Sequence, residues 1–452
     1  MNPQIFREYD IRGNAERDLS DDLARDLGRA LGSLYAERGL RRIMVGRDCR
    51  VSSQRLRDAL VEGLLETGRQ VVRVEVGPTP LLYFAVHHLD ADGGVMVTGS
   101  HNPPEDNGFK MLVGKGTIHG EEIRALSERI ERRDFVRSPG GHVEDREVGP
   151  LYVEWMKGNV KLARTDLRVV VDAGNGAGGP LALACMRALG LDPEALYCDM
   201  DGRFPNHHPD PTLPENVAEL IERVRATQAD VGIAYDGDAD RLGAIDHTGE
   251  IVWGDKLMVA FGRSVLERHP GAAILGEVKC SQTLYDDIAK HGGRPIMWKT
   301  GHSLIKAKMK EEKALLAGEM SGHLFFADRY FGYDDAIYAS LRLLEILAAS
   351  DKTLAETLSD LPSTYVTPEI RVPCPDELKF SVVKRVLEHY RGKHPVSEVD
   401  GARVNFGDGW GLVRASNTQA VLVLRFEANS EARRDALRRE VEGVVSRARE
   451  EG

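Results

Sequence analysis

The chain predicts an α/β protein: three related units with mixed, mainly parallel sheets, followed by a smaller α+β unit. Three observations carry this. Short apolar runs alternate with amphipathic stretches from about residue 20 to residue 360, the pattern of strands crossed over by helices. Several of those runs end in small polar residues plus a charged group or an imidazole, where ligands bind on such sheets. The last ninety residues read differently, with strands joined by a tight polar turn and a charged helix closing the chain.

The elements can be justified in order. Residues 7–13 are a polar, charged opening. Ser20 is an N-cap, Asp21 and Asp22 suit the positive end of a helix, and Leu23, Leu27, Leu31 and Leu34 share one face. A strand at 42–45, a helix at 52–67, a strand at 71–76, a helix near 81–88 and a strand at 94–97 continue the alternation. A helix near 121–132 runs into the breakers Ser138-Pro139-Gly140-Gly141, which end a first domain at 1–146. The second, 147–250, holds strands at 167–171 and 230–235, helices at 180–189 and 217–226, and a hairpin at 246–250. The third, 251–362, places a helix at 255–268 before strands at 273–276, 295–298 and 315–317. The same character in three successive units points to a structural repeat. The fourth, 363–452, has strands at 369–372, 402–406 and 421–426 and helices at 376–390 and 430–449.

Composition narrows the function. With 42% hydrophobic and 29% charged residues the chain is an ordinary globular protein with ample core. A formal net charge of −11 argues against nucleic-acid binding, which needs a basic footprint, but leaves room for a small anionic substrate in a locally basic cleft. Five scattered cysteines form no C-x-x-C pair and suit reduced thiols. The N-terminus lacks an apolar h-region and no run is long enough to span a bilayer, so a cytoplasmic location without membrane contact is expected.

The stretch Thr98-Gly99-Ser100-His101-Asn102-Pro103-Pro104 puts a hydroxyl on a rigid turn at the end of an apolar strand, beside a histidine and ten residues before Lys110. That is how a nucleophile is presented, although a serine in such a turn more often only caps it. In the second unit Gly174, Gly176 and Gly179 match G-x-G-x-x-G after a strand, with Asp199 twenty residues on, so a dinucleotide site competes with a plain tight turn. Asp236, Asp238 and Asp240 alternate in a Gly-Ala loop, where they repel one another unless a cation lies between them. The sixth position is Arg241 and the twelfth His247, which departs from a calcium loop and favours magnesium. In the third unit, Lys279, His302, Glu319, Ser321 and His323 stand at strand ends. In the fourth, Arg414, Ser416, Asn417 and Thr418 offer one bidentate cation and several donors within five residues, a phosphate cradle or simply a polar hairpin turn.

Taken together, residues 7–13, 98–110, 236–241, 318–323 and 414–418 resemble the α-D-phosphohexomutases, in family order and over essentially the whole chain, with the bacterial phosphomannomutase/phosphoglucomutase branch as the nearest match. The resemblance implies four domains around a central cleft, a phosphorylated Ser100, and Mg²⁺ held by Asp236, Asp238, Asp240 and the phosphoserine. It implies that Glu319 and Ser321 read sugar hydroxyls and that Arg414, Ser416, Asn417 and Thr418 hold the non-transferring phosphate. Arg12, His101, Lys110, Arg241, Lys279, His302 and His323 would line the cleft, with Tyr9 near its entrance. The activity implied is interconversion of hexose 6-phosphate and hexose 1-phosphate, of mannose, glucose or both, through a hexose 1,6-bisphosphate. Phosphosugars are then the partners, and the protein is expected as a monomer, with a dimer as the alternative.

Two departures stand out: Gln419-Ala420 follow the phosphate loop where many relatives have Glu or Thr before Pro, and Ala415 stands where other branches carry Pro. Met320 and Asn417 match the mannose/glucose branch, whereas a phosphoglucosamine mutase, the first alternative, usually has Gln and Gly there. An NAD(P)-dependent oxidoreductase resting on Gly174–Gly179, or a non-catalytic sugar-phosphate binder, leaves the serine turn and the triple aspartate without a joint purpose.

Overall fold

The computed structural model describes residues 2–417 and 419–450, which build four sheets in chain order. Each of the first three contains the same four-strand core. In the first unit, Arg42–Arg47 is flanked by Gln70–Val76 and Gly93–Val97, both parallel to it, and Asp106–Val113 then runs back antiparallel beside Gly93–Val97. The second unit repeats this with Val169–Asp172, Glu194–Leu196, Val231–Tyr235 and the antiparallel Leu242–Asp246. The third does so with Ala273–Glu277, Arg294–Trp298, Leu316–Gly318 and the antiparallel Leu324–Phe326. Helices make the two crossovers in every case: Ser53–Glu66 and Thr79–His88, Gly179–Ala188 and Ala218–Thr227, Gln282–Lys290 and His302–Glu312. The repeat expected from sequence is therefore a repeat of topology.

The polar opening is a strand. Ile11–Asn14 pairs antiparallel with Asp106–Val113, so the segment after the serine turn is sheet and not a continuation of the loop. His142–Arg146 adds a parallel strand at the far edge, exposed along its whole length. The first helix, Asp21–Glu37, begins as read, with the Ser20 side chain accepting from the Leu23 amide. The fourth sheet is antiparallel: Ala402–Asn405, Gly409–Ala415 and Val421–Ala428 form a meander backed by the helices Asp376–Tyr390 and Glu431–Glu450.

One apolar core runs through the first three units, joining Met44 and Phe84 to Val171 and Tyr235 and on to Phe261 and Ile337, while the fourth unit has a separate core around Val386, Leu424 and Val441. No helix among the described residues is long and apolar enough to cross a membrane.

Candidate active site

The topology explains where the chemistry gathers. The serine turn, the aspartate loop and the Gly318–His323 loop are the same connection in three units, the link from the third strand to its antiparallel neighbour at the carboxyl end of the sheet. The polar turn of the fourth unit likewise links two antiparallel strands, Gly409–Ala415 and Val421–Ala428.

Ser100 is buried and adopts a left-handed backbone, φ +49°, which costs a residue with a Cβ on the order of 1 kcal/mol. Its surroundings hold it there. The buried Arg50 guanidinium donates to the carbonyls of Ser100 at 2.7 Å, Asn102 at 2.6 Å, Pro103 and Asp106. Asp48 lies against Arg50 and accepts from the Gly99 amide. Arg12 reaches the Gly99 carbonyl and the Asn102 side chain while paired with Asp10 at 2.6 Å. The serine amide donates to Thr98 Oγ1, and Oγ lies 2.9 Å from Asp236 Oδ2 and 3.3 Å from His101 Nδ1. Burial, then Arg241 and Arg12, push the His101 pKa well below its ordinary value.

Asp236, Asp238 and Asp240 bring one oxygen each to within 4.8 Å of one another, all fully buried. The Asp240 and Arg241 amides donate to Asp236 Oδ1, which turns the other Asp236 oxygen toward Ser100. Lys110, from the strand behind the serine, donates to both Asp238 at 2.6 Å and Asp240, and Thr79 donates to Asp238. Burial and the two neighbouring carboxylates raise the Asp236 pKa well above its ordinary value. Burial acts the same way on Asp240, but Lys110 and His323 outweigh it and hold Asp240 well below. Asp238 Oδ1 is buried without a hydrogen-bond partner and Asp240 Oδ1 has only the His323 imidazole beside it, so the loop has coordination to give. Hard oxygen donors so placed fit a divalent cation.

The glycine fingerprint serves this loop. A Cβ at Gly176 would come within 2.8 Å of the Gly237 carbonyl, and one at Gly179 within 2.3 Å of the Cys198 carbonyl. The turn is fully buried against its own protein, which is the tight-turn use of such glycines and no dinucleotide cradle.

The third-unit loop is zipped to the aspartate loop through the backbone, with Arg241 bridged to His323 and the Leu242 amide donating to the Gly322 carbonyl. His323 sits between Glu319 Oε2, 2.8 Å from Nδ1, and Asp240 Oδ1, 3.2 Å from Nε2. Burial opposes its charge, but these two carboxylates prevail and raise its pKa to about 9. Burial is likewise overcome at Glu319, which His323 and Lys279 hold down at about 2. Glu319 also accepts from the Gly301 amide at 2.7 Å and from Ser321 Oγ. Asp240, His323 and Asp334 form a second close group, but the Lys306 ammonium already lies 2.9 Å from Asp334.

From the fourth unit, Arg414 is buried beside Asp400 at 2.9 Å, and Asp400 accepts from the Thr300 amide across the cleft. The Lys379 ammonium donates to the Ser416 carbonyl, fixing the turn from behind. Asn417 donates to the Tyr9 hydroxyl at 2.8 Å, and that hydroxyl donates to the Thr300 carbonyl at 3.0 Å, so the first, third and fourth units meet there. Lys279 spans the same gap to Glu369 at 3.1 Å. Thr418, assigned to the cradle from sequence, lies outside the described residues.

The structure thus brings Arg12, Ser100, His101, Lys110, the three aspartates, Arg241, His302 and His323 into one cluster, with Tyr9, Lys279, Glu319, Ser321, Arg414, Ser416 and Asn417 lining the wall toward the fourth unit. Sequence reading missed Asp48, Arg50 and Thr79. The signal was present: Asp48-Cys49-Arg50 and Gly77-Pro78-Thr79 follow the strands Arg42–Arg47 and Gln70–Val76, polar and charged residues at strand ends like those of the third unit.

Known proteins place this arrangement. The chain matches the family models for phosphoglucomutase/phosphomannomutase alpha/beta/alpha domain I over residues 3–137, domain II over 150–249, domain III over 253–365 and the C-terminal domain over 369–444. It is 48% identical to a phosphomannomutase/phosphoglucomutase of Pseudomonas aeruginosa over 428 residues, 94% of this chain and 92% of that one. It is 44% identical to a phosphoglucomutase of Neisseria gonorrhoeae over 445 residues, 98% and 96% of the two chains. A crystal structure of a phosphoglucomutase/phosphomannomutase family protein from Burkholderia thailandensis superimposes with a TM-score of 0.93 at 43% identity, covering 98% of this chain and 97% of that one. With similarity running unbroken through all four parts, the chain belongs to the phosphoglucomutase/phosphomannomutase family.

Proposed function

We propose that this protein is a phosphohexomutase that interconverts hexose 6-phosphate and hexose 1-phosphate, of mannose, glucose or both, with Ser100 as the phosphoryl carrier. The observation that carries the assignment is the buried contact of Ser100 Oγ with Asp236, 2.9 Å, at the edge of three crowded carboxylates from another unit. A lone turn serine has no use for that neighbourhood. A phosphorylated serine facing a divalent cation does. Bound by Asp236, Asp238, Asp240 and the phosphate on Ser100, Mg²⁺ would withdraw charge from the transferring phosphoryl group.

The chain's own residues supply the rest. Arg50, Asp48 and Arg12 hold the serine turn rigid, so that Oγ stays in line with an incoming hydroxyl. In the first half-reaction the bond from phosphorus to Ser100 Oγ breaks as one to a sugar hydroxyl forms, giving the hexose 1,6-bisphosphate, and the hydroxyl proton passes to a nearby base. His101, Lys110 and His323 are within the cluster for that transfer. His101 and His323 divide by environment, the first held neutral among guanidinium groups and the second charged between carboxylates. After the intermediate turns end for end, its other phosphate returns to Ser100. Glu319 and Ser321 would read the sugar hydroxyls, and Arg414, Ser416, Asn417 and Thr418 the phosphate not in transit, whichever end it occupies. On this mechanism the working domains are 1–146, 147–250, 251–362 and 363–452, each contributing one loop.

Ser100→Ala is expected to abolish phosphoryl incorporation from glucose 1,6-bisphosphate, seen as the loss of a single phosphate adduct in the intact mass, and to lower mutase activity more than about 10³-fold. Full activity in that variant would end the proposal. Mannose, glucose and glucosamine 1-phosphates assayed side by side rank the sugars.

A further inference from the structure

Two imidazoles of the third unit stack in the cleft wall. The rings of His302 and His323 lie 5.8 Å apart, 22° from parallel. Their partners are opposite in kind. His323 has a carboxylate at each nitrogen. His302 has an ammonium at Nδ1: Lys306 Nζ lies 3.3 Å away, one turn further along the helix His302–Glu312.

An ammonium has protons to give and no lone pair to accept with. Nδ1 of His302 must therefore be the acceptor, and a neutral ring accepting there carries its proton on Nε2. Lys306 is itself fixed. It is paired at 2.9 Å with Asp334 Oδ1, a carboxylate with no exposure, and lies over the Tyr83 ring at 4.7 Å. The remaining oxygen, Asp334 Oδ2, is buried without a hydrogen-bond partner and sits 3.7 Å from His302 Nδ1. In the absence of Lys306 that oxygen would draw a proton onto Nδ1.

Two further features favour a neutral ring. His302 occupies the first position of an eleven-residue helix, where the dipole disfavours a cation. Burial, followed by Lys306, Lys110 and the charged His323, holds its pKa well below the ordinary value. The groups facing the ring are Lys306 and Asp334 on one side, His323 on its stacked face and the edge of Tyr9 at 6.1 Å. Among the described residues Nε2 makes no hydrogen bond, so its N–H is available to a ligand in the cleft.

We propose that Lys306, anchored by Asp334, is a positioning residue that fixes His302 as the neutral Nε2–H tautomer, making His302 a hydrogen-bond donor to an oxygen of the bound sugar phosphate and not a base. Only the identity of the acceptor rests on the mutase assignment; the tautomer rests on Lys306 and Asp334.

Nitrogen-15 NMR of histidine-labelled enzyme, with the His302 signals identified by their loss in His302→Gln, reads the tautomer directly. The expected pattern is a ring protonated at Nε2 and bare at Nδ1 across neutral pH. Lys306→Met should convert it to a ring protonated at Nδ1 or at both nitrogens and lower kcat/KM for glucose 1-phosphate at least tenfold, while Lys306→Arg restores the wild-type pattern. Should Lys306→Met fail to fold, His302→Gln against His302→Asn keeps the test open, since a glutamine amide reaches the Nε2 position and an asparagine amide only Nδ1. Glutamine should retain at least tenfold more kcat/KM. A wild-type ring protonated at Nδ1, or asparagine matching glutamine, overturns the proposal. A wild-type enzyme that shows the expected NMR pattern but turns over no hexose phosphate overturns the mutase assignment and leaves the tautomer standing.

Discussion

The second and third units meet the way a core is built, whereas the fourth meets the others the way two surfaces dock. Between the second and third, Tyr152 and Tyr330 donate to the buried Asp335 at 2.8 and 2.6 Å, and Asp335 also caps the helix Ala336–Ala348. Tyr330 stacks on Tyr338, with Trp155 and Phe331 completing the packing, and the apolar core is continuous across the joint. At the fourth unit the apolar contact shrinks to Val278, Trp410 and Leu412 with Met297. The rest is polar: Arg403 donates to the Val278 carbonyl at 2.9 Å and lies 4.0 Å over Trp410, Lys279 pairs with Glu369, and Arg425 faces Asp255 at 3.7 Å. Arg425 Nε and Glu427 Oε2 are left buried without partners there. A joint that is half hydrogen bonds exchanges them with water at little net change in free energy, while a continuous apolar core does not. The first three units are thus a platform for three loops, and the fourth is held against it by a small apolar contact and a mainly polar seam.

That contrast can be broken from the firm side first. Asp335→Ala removes a cap and the carboxylate that accepts from two buried tyrosine hydroxyls, and should cost about 2–4 kcal/mol of global stability, read as a lower denaturant midpoint of the whole transition. An early, separate transition of the fourth unit alone would contradict the division drawn above. Arg403→Ala acts on the other joint and should cost about 1–2 kcal/mol of docking. It should be visible as faster proteolysis near residues 361–366 with the main melting transition unmoved.

Glu369 tests the same joint through pH. Burial works to raise its pKa, but Lys279 and Arg371 outweigh burial and bring it from 4.5 to about 2. Its stabilising contribution is therefore complete above pH 4.5 and is lost as pH falls toward 2. The melting-temperature gap between wild type and Glu369→Gln should stay constant above that window and close within it. Tyr9→Phe is the mildest change, removing the bond to Thr300 and the acceptor for Asn417. About 0.5–1.5 kcal/mol is at stake, expected as a KM raised up to about tenfold with kcat nearly unchanged.

Much of this was legible in the sequence, for reasons that differ by region. Buried strands such as Gly93–Val97 and Val231–Tyr235 announce themselves by apolar runs ending in turn formers, and the loops that follow carry residues with no other purpose at such spacing. Ile11–Asn14 does not, because Ile-Arg-Gly-Asn becomes a strand only through its partner some ninety-five residues away in the chain. His142–Arg146 is exposed throughout and carries no pattern at all. Lys306 was invisible for another reason: it acts on a functional residue from behind, and what matters is its direction in space. The glycines at 174–179 show the converse, a motif that is real as geometry, with the ligand replaced by the protein's own aspartate loop.

One feature of the site bears on how the molecule comes together. The lysine that neutralises Asp238 and Asp240 belongs to the first unit, the carboxylates to the second, and the imidazole that shares Asp240 to the third. Severed from its neighbours, the second unit would keep only Arg241 against three crowded anions, without the Lys110 ammonium and the His323 imidazole. Charge balance at the centre is therefore reached only when three separately twisted sheets are seated in register. The site doubles as the checkpoint of its own assembly, and a fragment that folds well could still be electrostatically incomplete.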